Sequence, residues 1–354
     1  MNRTKHIEYV FDDASELYRR LKDTQPYAVV FAREEHATLV CAALSAPCVR
    51  VTSRADFLAE CTKRGAIVAF VDLDLLAQSD GQIRDIAIIG LIDDEPAATL
   101  PTSIISFDRY SWLSHLITTT MLVAPLARAH LQKLLERVVD GPEHDMIGTA
   151  GVGRVALLAR ASRRDARFER MAEFFTKQGL STRATSVIAE VAEELVMNAL
   201  YDAPVESGYF EQAIPRTEDV DLPVDRACEI SYGMDEGNVF IRVRDPFGAL
   251  SRERLLEVLN RCSAKSVGLD ESRGGAGLGL WRVFSSASTI AITVVPGRIT
   301  DIVVGIATKN GRVVKNLLAI HLFFHAKTIS ALDAVVSDDQ EELLDRSITL
   351  IHVA

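Results

Sequence analysis

The sequence predicts an α/β protein of two domains, and three observations carry that reading. Short apolar runs alternate with helical patterns through the N-terminal third of the chain. A second block, from Ser181 to Ile306, reads as a helix, a strand, a glycine-rich turn into a helix, and a hairpin. With 354 residues, 48% hydrophobic and 25% charged, the chain can bury two separate cores.

In the N-terminal part, Tyr27 to Ala32, Cys48 to Thr52, Ala66 to Asp72, Ile86 to Ile92 and Ser103 to Phe107 read as five buried strands. His36 to Leu44 and Ala55 to Lys63 carry apolar residues at helical spacing between the first of them. A parallel pair needs a crossover, so this alternation implies a parallel sheet covered by helices on both faces. Asp72 then ends the third strand, and Glu34 and Glu35 follow the first. Leu113 to Val139 reads as one or two helices broken near Pro125 and stopped by Asp140-Gly141-Pro142-Glu143, a segment suited to signal transmission or dimerisation. His130 within it reads as a solvated helix histidine.

In the C-terminal part, Ser181 to Tyr201 predicts an amphipathic helix in which Asn198 falls on the apolar arc one turn after Glu194. A buried-side amide needs partners. It either satisfies a loop carbonyl or coordinates a metal ion. Val239 to Asp245 alternates as a half-buried strand, and Pro246-Phe247-Gly248 forces a turn after it, so Asp245 either reads a ligand or caps the turn. Arg252 to about Cys262 predicts a helix leading into a loop, where Lys265 and Arg273 are phosphate contacts or solvated charges. The segment Arg273-Gly274-Gly275-Ala276-Gly277-Leu278-Gly279-Leu280 lets backbone amides converge on an anion just before a helix N-terminus. Ile290 to Val295 and Asp301 to Ile306 form a hairpin around Pro296-Gly297-Arg298. A strand from Leu317 to Phe324 follows the Asn310-Gly311 turn, so His321 and His325 do not share a helix face and no metal is expected there. Ser337 to Leu344 reads as an acidic helix, and Ile348 to Val353 as an apolar end that pairs with a sheet or a partner.

Glu194-x-x-x-Asn198-Ala199, Asp245-Pro246-Phe247-Gly248 and Gly275-Ala276-Gly277-Leu278-Gly279-Leu280, in that order, resemble the N box and two glycine boxes of the GHKL ATP-binding domain. That domain is shared by gyrase, Hsp90, histidine kinases and MutL, and the likeness is greatest to its histidine-kinase and anti-sigma-factor-kinase branches. It spans about Val152 to Thr308. The resemblance implies an α/β sandwich that binds ATP and Mg²⁺. Asn198 holds the Mg²⁺, and Asp245 accepts a hydrogen bond from the adenine amino group. Gly248, Gly275, Gly277, Leu278, Gly279 and Thr300 complete the nucleotide site. Glu194 is the general base, or an orienting carboxylate where phosphate passes to a protein. Two residues depart from the pattern: Phe247 stands where the first glycine box has a glycine, and Asp202 stands where relatives place a basic residue.

The first domain resembles a response-regulator receiver of the flavodoxin-like strand order, with Asp72 at its phosphoacceptor position. The match fails at Asp93, where a Ser or Thr is usual, and at Asp108-Arg109-Tyr110, which lacks the Lys-Pro pair. A degenerate, partner-binding receiver is therefore expected. The domain scheme is 1–118 for that module, 119–150 for a helical linker, 151–308 for the ATP-binding domain and 309–354 for a C-terminal extension. The functional expectation is a cytoplasmic signalling regulator that couples Mg-ATP to protein–protein interaction, as a Ser/Thr protein kinase of the anti-sigma type or a weak ATPase. The alternative is an inactive scaffold. A protein partner is expected, with a homodimer through the linker helix as one form of it. A net charge of −10 without a basic aromatic stripe disfavours nucleic acid, no apolar run approaches a membrane span of about 18 residues, and five scattered cysteines with no signal-like N-terminus point to the cytoplasm.

Overall fold

The computed structural model describes residues 26–44, 46–63, 65–76, 86–93, 99–110, 112–125, 127–140, 152–235, 237–263, 278–325 and 348–349. They belong to two compact units, residues 1–146 with 318–322, and residues 147–317 with 323–354. No helix among the described residues is long and apolar enough to cross a membrane.

The first unit is a parallel sheet of β1 (Tyr27–Phe31), β2 (Cys48–Arg50), β3 (Ala66–Asp72), β4 (Ala87–Ile92) and β5 (His115–Thr118) in the order β2-β1-β3-β4-β5. β3 and β4 are buried along their whole length, as strands covered on both faces must be. The crossovers include α1 (Glu34–Ala43), α2 (Arg54–Cys61) and α3 (Thr99–Arg109). Ser53 caps α2, its Oγ accepting from the Asp56 amide at 3.1 Å.

Two expectations are corrected here. Ser103 to Phe107 is not the fifth strand but lies inside α3: Ile104, Ser106 and Phe107 are buried while Ile105 is 59% exposed, so the run turns one helical face inward. The fifth strand is instead His115–Thr118, taken from the stretch that reads as a helix. The described part of the expected linker, residues 119–140, belongs to the first unit. α4 (Thr119–Val123) packs on α1, and α5 (Ala127–Asp140) packs on α1 and β3, burying Leu131, Leu134 and Leu135. That apolar face is buried inside the unit.

The same packing buries His130, which is therefore not a solvated histidine. A sixth strand, β12 (Ala319–Phe324, numbered in chain order), runs antiparallel to β5 through residues 319–321 and pairs His321 with His115. His130 Nε2 lies 2.8 Å from His321 Nε2, so one ring donates and the other accepts. Burial, with Lys133 adding to it, pushes His130 down to about 4; burial and the neighbouring histidines lower His321. An unfolded histidine titrates near 6.5. As pH falls from 6.5 to 4 the unfolded chain takes up a proton that the native ring refuses, so stability is full above 6.5 and declines below it by about 1.4 kcal/mol per pH unit for this group. Urea unfolding between pH 7 and pH 4.5 is expected to show a steeper decline for the wild type than for His130→Gln, and equal slopes would refute it.

The second unit is an antiparallel sheet in the order β13-β6-β7-β8-β10-β9, with a layer of helices against it. Its strands are β6 (Val152–Leu158), β7 (Cys228–Asp235), β8 (Asn238–Asp245), β9 (Thr289–Val295), β10 (Ile299–Lys309) and β13 (Ile348–Thr349), with β11 (Arg312–Val313) off β10. Its helices are α6 (Arg164–Lys177), α7 (Thr182–Met197), α8 (Ala203–Glu206), α9 (Arg252–Ser263) and α10 (Leu278–Ser286). The expected β9–β10 hairpin is present, as is the Asn310-Gly311 turn, whose two residues have φ of 52° and 71°. α7 lies between α6 and α10 and touches β8, which brings the ends of α7, α10 and β8 into one region.

Candidate functional site

Ser181 starts α7, its Oγ accepting from the Ala184 amide at 3.3 Å. At Asn198 the helix widens into a π-helical turn, Asn198–Asp202, an irregularity often found at functional sites. Ala199, Leu200 and Tyr201 point into the core, and Asn198 and Asp202 stay half-exposed on one side.

A residue that sequence reasoning passed over, Arg216, fills the space between them. Its Nη2 donates to Asp202 Oδ2 at 2.8 Å and to Asn198 Oδ1 at 3.2 Å, and its Nη1 reaches Glu194 Oε2 at 3.5 Å. The loop bearing it is tied down on both sides. Arg164 Nη1 donates to the Arg216 carbonyl at 3.4 Å, Tyr201 Oη to the Glu218 carbonyl at 2.6 Å, and the Ser162 amide to Asp219 Oδ1 at 2.7 Å. Burial raises the Glu194 pKa and Arg216 works against the rise. The Arg216 pKa is itself raised: burial opposes its charge, and Asp202 and Glu194 more than offset that.

Gly279 sits in the first turn of α10, and a Cβ there would run into the Glu194 carboxylate. The glycine thus has a packing reason as well as any role with phosphate. The end of α10 that carries partial positive charge meets an internal carboxylate.

Asp245, the last residue of β8, is 6% exposed. Its Oδ1 accepts from the Phe247 amide at 2.9 Å and the Gly248 amide at 3.3 Å, which is the turn-capping geometry. Burial nevertheless pushes it up to about 6. Thr300 is its direct partner across the β8–β10 ladder. The Thr300 Oγ1 is buried and close enough to favour the Asp245 carboxylate, yet it makes no hydrogen bond of good geometry. Gly248 has φ of 57°, and a Cβ on it would strike the backbone of the β9–β10 turn at Val295, Arg298 and Ile299, so only glycine fits. Phe247 is 2% exposed, packs on Tyr209 at 5.6 Å and lies with it beneath the Arg226 guanidinium.

Glu194, Asn198, Asp202, Arg216 and Gly279 therefore meet directly. Asp245, Gly248 and Thr300 form a second group, and the π turn packs against the β8 strand that ends in it. Lys265, Arg273, Gly275 and Gly277 lie outside the described residues, and Leu278 is the first residue of α10.

The two groups fit the implied ligands differently. A buried carboxylate beside a hydroxyl without a well-formed bond offers the acceptor and donor that a purine's amino group and ring nitrogen would use. The oxygens of Glu194, Asn198 and Asp202 have the right chemistry for Mg²⁺, but a guanidinium already sits among them, and a divalent ion drawn to the same atoms would crowd a like charge. The residues present do not fit a resident Mg²⁺ in this arrangement.

In the first unit, Asp72 is fully buried and both of its oxygens are taken. Oδ2 accepts from the Arg33 amide at 2.7 Å and Arg33 Nε at 3.1 Å; Oδ1 lies 2.6 Å from His36 Nδ1. Asp93 closes the cluster, 2.8 Å from Arg33 Nη2 and 3.0 Å from His36 Nε2. Glu34 turns away to pair with Arg50 at 2.8 Å. Neither Arg33 nor His36 was singled out from the sequence; their only signal was position, directly after the first strand. No family model matches the chain, and no curated protein matches it.

Proposed function

We propose that the second unit binds an adenine nucleotide of the ATP class, and that the chain is a cytoplasmic signalling regulator whose nucleotide occupancy governs contact with a protein partner. The observation that carries this is the Asp245–Thr300 pair, a buried carboxylate kept partly against its own desolvation opposite a hydroxyl without a well-formed bond. Asp245 and Thr300 orient the base. The first turn of α10, beside Gly279, offers amides toward the phosphate end. The order and positions of the three sequence boxes support the GHKL-type reading, and the parallel order β2-β1-β3-β4-β5 supports the receiver-like reading of the first unit. The ion-paired Asp72 favours a partner-binding module over a phosphorylated one.

Turnover, as a protein kinase or ATPase, would use Glu194 to take a proton from the attacking hydroxyl or water. Here its carboxylate rests on Gly279 and is reached by Arg216, which favours binding without turnover. Titration calorimetry of the whole chain with ATP, ADP and GTP tests the reading. ATP and ADP are expected to bind, and GTP at least about tenfold more weakly, because guanine presents an oxygen where adenine presents an amino group. No heat from either adenine nucleotide, or equal affinity for GTP, would defeat it.

A further inference from the structure

Resting on that nucleotide reading, we infer that Arg216 holds the place of the divalent cation at Asn198, so that the nucleotide binds as the metal-free anion with the guanidinium meeting its phosphates. Three features of the fold build this arrangement. The π turn sets Asn198, one helical turn beyond Glu194, and Asp202, a further turn on, to one side. The loop that delivers Arg216 is pinned by Arg164, Tyr201 and Ser162, so the guanidinium is placed by backbone contacts as well as by its own ion pairs. Arg216 is 38% exposed, and its three hydrogen bonds use three of the five guanidinium N–H groups. The Nε–H and one Nη1–H remain, among the described residues, as separate donors, each able to meet one phosphate oxygen.

Charge balance points the same way. Glu194 and Asp202 supply two negative charges, Arg216 supplies one positive charge, and Arg282 acts on Glu194 as a second. The cluster carries no surplus negative charge to draw in Mg²⁺, an ion that gives up its water reluctantly and demands near-octahedral oxygens. Asp202, which would repel phosphate if it stood alone, is neutralised by the same guanidinium.

The test compares ATP affinity of the whole chain in excess Mg²⁺ and in EDTA, for the wild type, Arg216→Lys and Arg216→Gln. The wild type is expected to bind within about twofold in both buffers; Arg216→Gln is expected to lose at least about tenfold in EDTA and to regain part of it with Mg²⁺, and Arg216→Lys, which keeps the charge but not the guanidinium geometry, to lose less than Arg216→Gln. Mn²⁺ titration followed by electron paramagnetic resonance, without nucleotide, is expected to show a saturable site in Arg216→Gln and none in the wild type. Wild-type ATP binding that tightens tenfold or more with Mg²⁺, or a wild-type Mn²⁺ site abolished by Asn198→Ala, overturns this inference alone. Absence of ATP binding in both buffers overturns the nucleotide reading, and this inference with it.

Discussion

Asp245→Asn is expected to make the folded protein more stable at neutral pH while weakening the ATP binding proposed above. The Asp245 pKa is pushed up to about 6 in the native state, against about 3.9 for an unfolded aspartate. A group whose folded pKa is raised stabilises the native state fully below the unfolded value and loses that contribution as pH rises through the folded one. At pH 7.5 the native carboxylate therefore costs on the order of 2–3 kcal/mol. Asparagine keeps an Oδ1 for the Phe247 and Gly248 amides and gives Thr300 Oγ1 a donor, with no charge to desolvate. The midpoint of thermal unfolding should rise by several degrees at pH 7.5, and the gain should vanish below about pH 4. A ligand amino group would then face another amino group, so ATP affinity should fall about tenfold to a hundredfold. A variant that unfolds earlier and binds ATP like the wild type would refute both halves.

Asp72→Ala is expected to destabilise the first unit by about 3–5 kcal/mol, the range for removing one member of a buried ion pair. The Arg33 amide and Nε and the His36 Nδ1 would lose their acceptor together. Because the Arg33 side chain is 41% exposed, water can solvate part of what is left, which places the loss toward the lower end. Asp72→Asn keeps an oxygen for the Arg33 amide and should cost less. Incubation of the wild type with a small phosphodonor such as acetyl phosphate is expected to leave Asp72 unmodified, since neither oxygen is presented to solvent. Urea unfolding and intact-mass measurement check the two parts. A loss under about 1 kcal/mol, or stoichiometric phosphorylation at Asp72, would show that the cluster is not the lock described.

The first four strands were legible because strands buried on both faces leave unbroken apolar runs bounded by turns, and Ala66–Asp72 and Ala87–Ile92 do so. Ser103 to Phe107 was misread because a five-residue apolar run has no decisive period. Only its neighbours, with Ile105 outward and Ile104 and Phe107 inward, reveal the helix. The partial burial of Asn198 and the strand-end place of Asp245 could be read from spacing, since both depend on local geometry. Arg216 could not. It lies in a loop without periodicity, 14 residues after Asp202 and 18 after Asn198, and only tertiary folding brings it to them. Likewise nothing in a helical pattern tells that His130 meets a strand histidine 191 positions away.

The last strand of the first unit has a consequence for synthesis. Residues 318–322 belong to that unit, although its other strands are complete by Thr118. A ribosome adding about 5–20 residues per second needs roughly 10–40 s to deliver the missing piece, and all of that time the β5 edge has unsatisfied amides and carbonyls. The nascent first unit thus carries an open edge at β5 until residues 318–322 have been made.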